Sequence, residues 1–276
     1  MFNAADDGQA AIVFVTIAII FVLAVPITLI AMYIDPRKLS GDPIWAKPFK
    51  FALSLAVHFA TFALITTAMP RAMQEMTGLK GAAFISAFAG LSELTYIAAQ
   101  AARGRHSHFN FATRIEKIMS MLMGVGAVLV LVPGFVIGAI VLIGPLTAWS
   151  WPIRLGVGIG MLGGASLTLL TGLAMGAVRS RFPKSSPPTS AKMWLTGWSL
   201  TGADLRPSHF LAAHMMQSVP MAAVLATMCL QDQMGLIATF VFGVAWGALT
   251  LQTYRSALAG HALPHLFHAI ARAQTR

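Results

Sequence analysis

Three ionisable side chains stand inside long apolar runs: His58, Glu93 and His214. Each has neighbours of useful chemistry at helical spacing. Lys47, Lys50, Ser54, His58 and Thr61 follow one another in steps of three and four, which puts all five on one face of a helix. Ser86, Glu93, Tyr96 and Gln100 form a second narrow stripe. His209, His214 and Gln217 span an arc of about 140° at ~100° per residue. Counted from the nearest basic residues at ~1.5 Å per residue, His58 and His214 lie ~12 Å into the apolar layer and Glu93 ~15 Å. A charge at such depth costs roughly 2.5–3.5 kcal/mol on insertion scales, so these groups are expected to face a bundle interior and one another. The chemistry on offer is metal or haem ligation by His58 and His214, proton exchange through imidazole and carboxyl, and hydrogen bonding from Gln217.

The elements that must position them are membrane spans. The chain has 276 residues, 57% hydrophobic and 10% charged, with a mean hydropathy of +0.74. Soluble domains carry about a quarter charged residues. The apolar runs predict an all-α, polytopic membrane protein, a bundle of seven transmembrane helices over about 10–34, 49–70, 81–102, 113–143, 153–178, 207–229 and 234–257. They are read as one transmembrane domain covering 1–276. Pro26, Pro133 and Pro220 fall inside spans, and each frees a carbonyl one turn earlier.

Sixteen of the nineteen Lys and Arg residues fall in one set of loops and the tail; Arg71, Lys80 and Arg154 fall in the other. This asymmetry predicts the N-terminus outside and the C-terminus in the cytoplasm. It also assigns the net charge of +10 to topology, so no nucleic-acid partner is expected. The acidic start "MFNAADDGQA" lacks a basic n-region, and the first span is expected to be retained. Cys229 is the single cysteine and allows no intrachain disulfide. The long loop, 179–206, holds a proline-rich linker, "KSSPPTSAK", followed by "MWLTGWSL", which suits a segment lying along the membrane surface. Gly156, Gly160, Gly164, Thr168, Gly172 and Gly176 recur every fourth position and predict a close-packing seam, within the chain or between copies in a homo-oligomer.

Two cytoplasmic stretches frame the predicted pocket. "ARGRHSHFNFATR" supplies Arg103, Ser107, His108 and Asn110; "GADLRPSHF" supplies Asp204, Arg206 and His209. With Lys47 and Lys50 they form a basic collar suited to an anionic lipid of the inner leaflet, or a loop network that clamps helix ends. The ligand-binding set predicted from the sequence is therefore Lys47, Lys50, Ser54, Glu93, Gln100, Arg103, Ser107, His108, Asn110, Asp204, Arg206, His209 and Gln217, with His58 and His214 as metal ligands.

The trio "WAKPFKF", "RGRHSHFN" and "DLRPSHFLAAHMMQ" resembles patterns of an uncharacterised family of bacterial seven-helix inner-membrane proteins. That resemblance covers most of the chain and implies a multi-pass protein of the bacterial inner (plasma) membrane, without an activity. Ser54-x-x-x-His58 and the tail pair His261-x-x-x-His265 are similar to motifs of the alkaline ceramidase and adiponectin receptor superfamily. That resemblance implies a zinc held by His58, His261 and His265, assisted by Ser54. Here the pair follows the seventh span with Pro264 inside it, and Glu93 stands where that superfamily has Asp. The tail histidines, His268 included, suit an interfacial segment better than a zinc site. Three functions remain open: a cytoplasm-facing pocket for a metal, haem or small ligand; a proton-coupled transporter or ion pathway; and a zinc-dependent lipid hydrolase.

Overall fold

A computed structural model describes residues 6–108, 110–146, 148–183, 193 and 196–262. Seven helices among them are long and apolar enough to cross a membrane. They are α1 (Gln9–Ile34), α2 (Ala46–Thr67), α4 (Thr77–Ala102), α5 (Arg114–Ile143), α6 (Trp151–Val178), α7 (Arg206–Cys229) and α8 (Asp232–Ala259). The predicted spans fall on these helices to within four residues at every end. The short helix α3 (Arg71–Gln74) and a two-rung antiparallel ladder of β1 (Lys38–Leu39) with β2 (Asp42–Pro43) complete the order. Ser40 and Gly41 make the hairpin turn, both at positive φ. The protein is an all-α, multi-pass membrane protein, and its chain divides into two compact units, Met1–Leu146 and Thr147–Arg276.

The first unit packs α1 against α2 and α4, and α5 against α4. Its core is aromatic: Phe14 and Phe21 of α1 meet Phe59 and Phe62 of α2 at ring-centroid distances of 5.3–6.3 Å. Gly90 of α4 makes room for them, since a Cβ there would stand 3.1 Å from Phe21 Cζ and 3.2 Å from Phe59 Cε2.

Helix ends in this unit are closed by side chains from elsewhere in the chain. At the start of α1, the N–H of Gly8 donates to Gln74 Oε1 (2.7 Å) and that of Gln9 to Glu75 Oε1 (2.8 Å). Two of the helix's four orphan donors are thus satisfied by a distant turn, which also places a carboxylate at the positive end of the helix dipole. The Gln9 N–H and the Lys80 ammonium hold the Glu75 carboxyl below its usual range. Its folded pKa being depressed, Glu75 contributes stability above the ordinary carboxylate pKa, and that contribution is lost as pH falls through the lower folded value. Glu75→Gln is therefore expected to lower the melting temperature at neutral pH and to converge with the wild type in acid, which flattens the acid limb of the profile. An unaltered acid limb would remove this role.

At the opposite end, Asp35 accepts from Arg37 and from Trp45 Nε1 (3.0 Å), which pulls its carboxyl well below the usual range. Arg37 also donates to the carbonyl of Ala102 (3.1 Å), a cation at the C-terminus of α4. The start of α5 is capped locally: Thr113 Oγ1 accepts from the Glu116 N–H (3.2 Å) and donates to the Glu116 carboxyl (3.1 Å).

The described residues of the second unit form three helices, α6, α7 and α8. The seam predicted on α6 is real and faces α7. A Cβ at Gly160 would meet Pro220 and one at Gly164 would meet Met216, each at 2.6 Å, and one at Gly156 would overlap Ala223. Positions 172 and 176 behave differently: Gly172 has only His209 in ordinary contact, and Gly176 has nothing within 4 Å. The tight part of the seam is therefore used inside the chain, between α6 and α7.

Candidate functional site

In the first unit, the α4 stripe brings Glu93 to a position between α2 and α5. The residue is 5% exposed, and its Oε1 has no hydrogen-bond partner. Gly126 of α5 lies against it: a Cβ there would come within 2.9 Å of that oxygen. A side chain at position 126 would fill the space the carboxyl occupies. From α2, the Lys47 ammonium is close enough to interact electrostatically with the Glu93 carboxyl.

Lys47 is itself held by the loop that follows α4. Its Nζ donates to Ser107 Oγ at 2.7 Å, and Ser107 Oγ lies 3.2 Å from His108 Nδ1. Because Ser107 accepts from Lys47, its own proton is available for His108 Nδ1, which assigns the remaining ring proton to Nε2. Burial, reinforced by the Lys47 charge, pushes His108 down to about 3, so this imidazole is neutral at physiological pH. Phe51 packs on both, with its ring 5.7 Å from that of His108 and from Lys47 Nζ. The result is a polar chain from the loop to the membrane interior: His108, Ser107, Lys47, Glu93.

One and two turns beyond Glu93 toward the same loop, Gln100 Nε2 donates to the Tyr96 hydroxyl at 2.9 Å. Gln100 is 3% exposed, and its Oε1 is a second buried acceptor without a partner.

Lys50 and Ser54 are exposed. Arg103 is the exposed C-cap of α4. Asn110 shapes its own loop, donating to the carbonyl of His106 (3.2 Å) and accepting from the Ala112 N–H (3.3 Å). His58 is buried edge-on against Phe62, centroid to centroid 4.4 Å, and is also in contact with Phe59. It belongs to the aromatic core.

In the second unit, Asp204 and Arg206 form a clamp. The Asp204 side chain is fully buried and accepts from Arg206 Nε (3.0 Å), Arg206 Nη2 (2.5 Å), the Arg206 N–H (3.0 Å) and the Ser199 N–H (3.1 Å). Arg206 Nη2 also donates to the carbonyl of Gly197 (2.7 Å). These bonds fold the segment before α7 onto its first turn and seat Trp198 in a buried cluster with Met193 and Leu211. Trp198 is thus packed into the unit; Trp194 and Lys192 lie outside the described residues.

His209 meets α6 through Thr171, whose Oγ1 is 2.9 Å from His209 Nδ1. The Thr171 hydroxyl already donates to the carbonyl of Leu167 (2.9 Å), so Nδ1 carries the proton and donates to it. His214 stacks on Phe210 at 4.1 Å, and Phe210 on Trp198 at 5.2 Å. Gln217 interacts with His214 one turn along, and its Nε2 is buried without a partner. Both point about 160° and 100° around the helix from Met216, which packs on α6.

No family model, curated protein or solved structure matches this chain. Its chemistry has to be read from its own residues. Among the described residues no group of three or more His, Cys, Asp and Glu side chains could hold a metal ion. His261 follows the C-cap of α8 and is exposed, while His265 and His268 lie outside the described residues.

Sequence reasoning missed Gly126, because a lone glycine in an apolar helix carries no partner label. It also missed the direct link of Lys47 to Ser107, which no spacing rule joins across 60 residues.

Proposed function

We propose that this is an inner-membrane protein, N-terminus outside, whose first unit binds a small polar ligand at a site entered from the cytoplasmic side. The positive-inside count supports this orientation, since Lys47, Ser107 and His108 sit at the basic end of the spans. The observation that carries the reading is the Glu93 carboxyl: buried in the middle of α4, held against a glycine, with one oxygen left unbonded beside a lysine. A carboxyl at that depth is costly and a functional candidate by default. An unsatisfied buried acceptor costs a further ~1–3 kcal/mol, which a ligand's donor would recover. The site residues are Glu93, Lys47, Ser107, His108, Gln100 and Tyr96. An activity in which the ligand crosses the membrane, coupled to protons, extends this reading more directly than metal or haem ligation does, because His58 packs against the rings of Phe59 and Phe62.

A hydrophobic carbodiimide, which attacks protonated carboxyls in apolar surroundings, tests the site. Peptide mass spectrometry of the purified protein is expected to find Glu93 labelled in preference to the other carboxylates, and the modification to vanish in Glu93→Gln. If residue 93 stays unmodified while the surface carboxylates react, Glu93 is a sealed core group and no ligand site exists there.

A further inference from the structure

The Lys47 ammonium donates to Ser107 Oγ, 2.7 Å away. The Glu93 carboxyl is near enough for the charges to interact and carries an oxygen with no partner. An ionised carboxylate at this depth requires a cation, and among the described residues the Lys47 charge is the one that acts on it; on the same helix Lys50 is exposed and His58 packs against Phe59 and Phe62. Helix α1 has no ionisable side chain between Gln9 and Met32. Helix α5 presents Gly126 to the carboxyl and keeps Arg114, Glu116 and Lys117 in its first turn, with Glu116 paired to Arg105. In the loop after α4, His108 is neutral and serves as the acceptor at the far end of Ser107. A long, flexible lysine stem can move between two perches on one side of the carboxyl.

We propose that Lys47 is a tethered counter-cation and that Glu93 exchanges it for a free monovalent cation, Lys47 retiring to Ser107 when the cation is bound. This rests on the site reading above and names the chemical class of its ligand: a proton, an alkali cation or a primary ammonium. The geometry with Lys47 on Ser107 is the receptive one. Gln100 Oε1 offers another neutral acceptor on the same face of α4, toward the loop by which a cation would enter.

The exchange makes opposite predictions for the two ends of the lysine's travel. Lys47→Gln removes the competitor and raises affinity for the free cation; Ser107→Ala removes the retreat and lowers it. Carbodiimide labelling of Glu93 in the purified full-length protein reads both, because a bound alkali or ammonium cation keeps the carboxyl ionised and slows the reaction. Labelling is followed at constant ionic strength with sodium, potassium or ethylammonium chloride, each replacing choline chloride. The half-protecting concentration should fall about tenfold in Lys47→Gln, the effect of removing ~1.4 kcal/mol of competition, and rise in Ser107→Ala. Lys47→Arg should keep the wild-type order of cations.

If none of these salts protects, the proton arm decides. The pH at half-maximal labelling must then rise in Lys47→Gln and fall in Ser107→Ala. Salt-independent labelling with a midpoint that both variants leave in place, or shift the same way, overturns the proposal while leaving Glu93 as a site. Absence of labelling in the wild-type protein sinks the site itself. Should Lys47→Gln fail to fold, Ser107→Ala carries the test alone through its direction.

Discussion

Alanine at Gly160 and Gly164 together is expected to unfold the second unit far more readily than alanine at Gly176 and Gly247. The reason is what each new Cβ would meet. At Gly164 it stands 2.6 Å from Met216 Cγ, 3.0 Å from the Met216 backbone nitrogen and 3.3 Å from the Ala212 carbonyl. At Gly160 it stands 2.6 Å from Pro220 Cδ and 3.2 Å from the Met215 carbonyl. Rotating a side chain cannot relieve contacts with backbone and a proline ring, so α6 and α7 must move apart. In lipid that separation is not resisted by a hydrophobic effect between helices; close contact is the cohesion, and it is what the methyl groups remove. Overpacking of this kind costs about 1–3 kcal/mol per site.

Gly176 and Gly247 supply the control, because a Cβ at either has nothing within 4 Å. Alanine there should be neutral or slightly stabilising through helix propensity. Denaturant titration in detergent, followed by intrinsic tryptophan fluorescence, reads the difference. If the Gly160/Gly164 pair behaves like the control pair, the seam is not what joins these helices.

The same seam shows how far a sequence can be read. Every fourth residue being small marks a face for close approach, and the face is there. The pattern does not carry its own end: Gly176 repeats the spacing but lies beyond the reach of α7, which begins at Arg206. The spans were legible for a simpler reason, since twenty apolar residues in a row have few other uses. Glu93, Lys47 and Ser107 were each nameable from chemistry and depth. Their linkage was not, because it runs between α2, α4 and the loop after α4, and periodicity reports only neighbours within one helix. Glu116 is the converse case. Thr113-x-x-Glu116 before an apolar run is a local signal for a helix start, readable without any fold, and it does cap α5.

Asp204 and Arg206 illustrate a second kind of limit. Their types and position at the inner end suggest a collar for an anionic headgroup, yet the geometry spends the guanidinium on Asp204 and on the carbonyl of Gly197. This makes Asp204→Ala the point substitution with the largest expected cost. The carboxylate accepts from two backbone N–H groups and from two nitrogens of a guanidinium only 26% exposed. Removing it leaves a half-buried charge and two amide donors without partners, and breaking a buried pair from one side costs about 3–5 kcal/mol. Trp198 would lose its seat with Met193 and Leu211, because the bonds from Asp204 to Ser199 and from Arg206 to Gly197 bracket it on either side.

Asp204→Asn separates the contributions. It retains one oxygen for the backbone amides and loses the charge, so it should fall between wild type and alanine. Arg206→Met in the Asp204→Ala background removes the orphaned cation and should recover part of the loss. A thermal melt monitored by tryptophan fluorescence distinguishes these cases. A headgroup collar predicts a different pattern: stability unaffected by Asp204→Ala, and binding to anionic vesicles strengthened as the competing carboxylate disappears. The clamp predicts the melting temperature to drop whatever the vesicle composition, and it fails if alanine at 204 melts with the wild type.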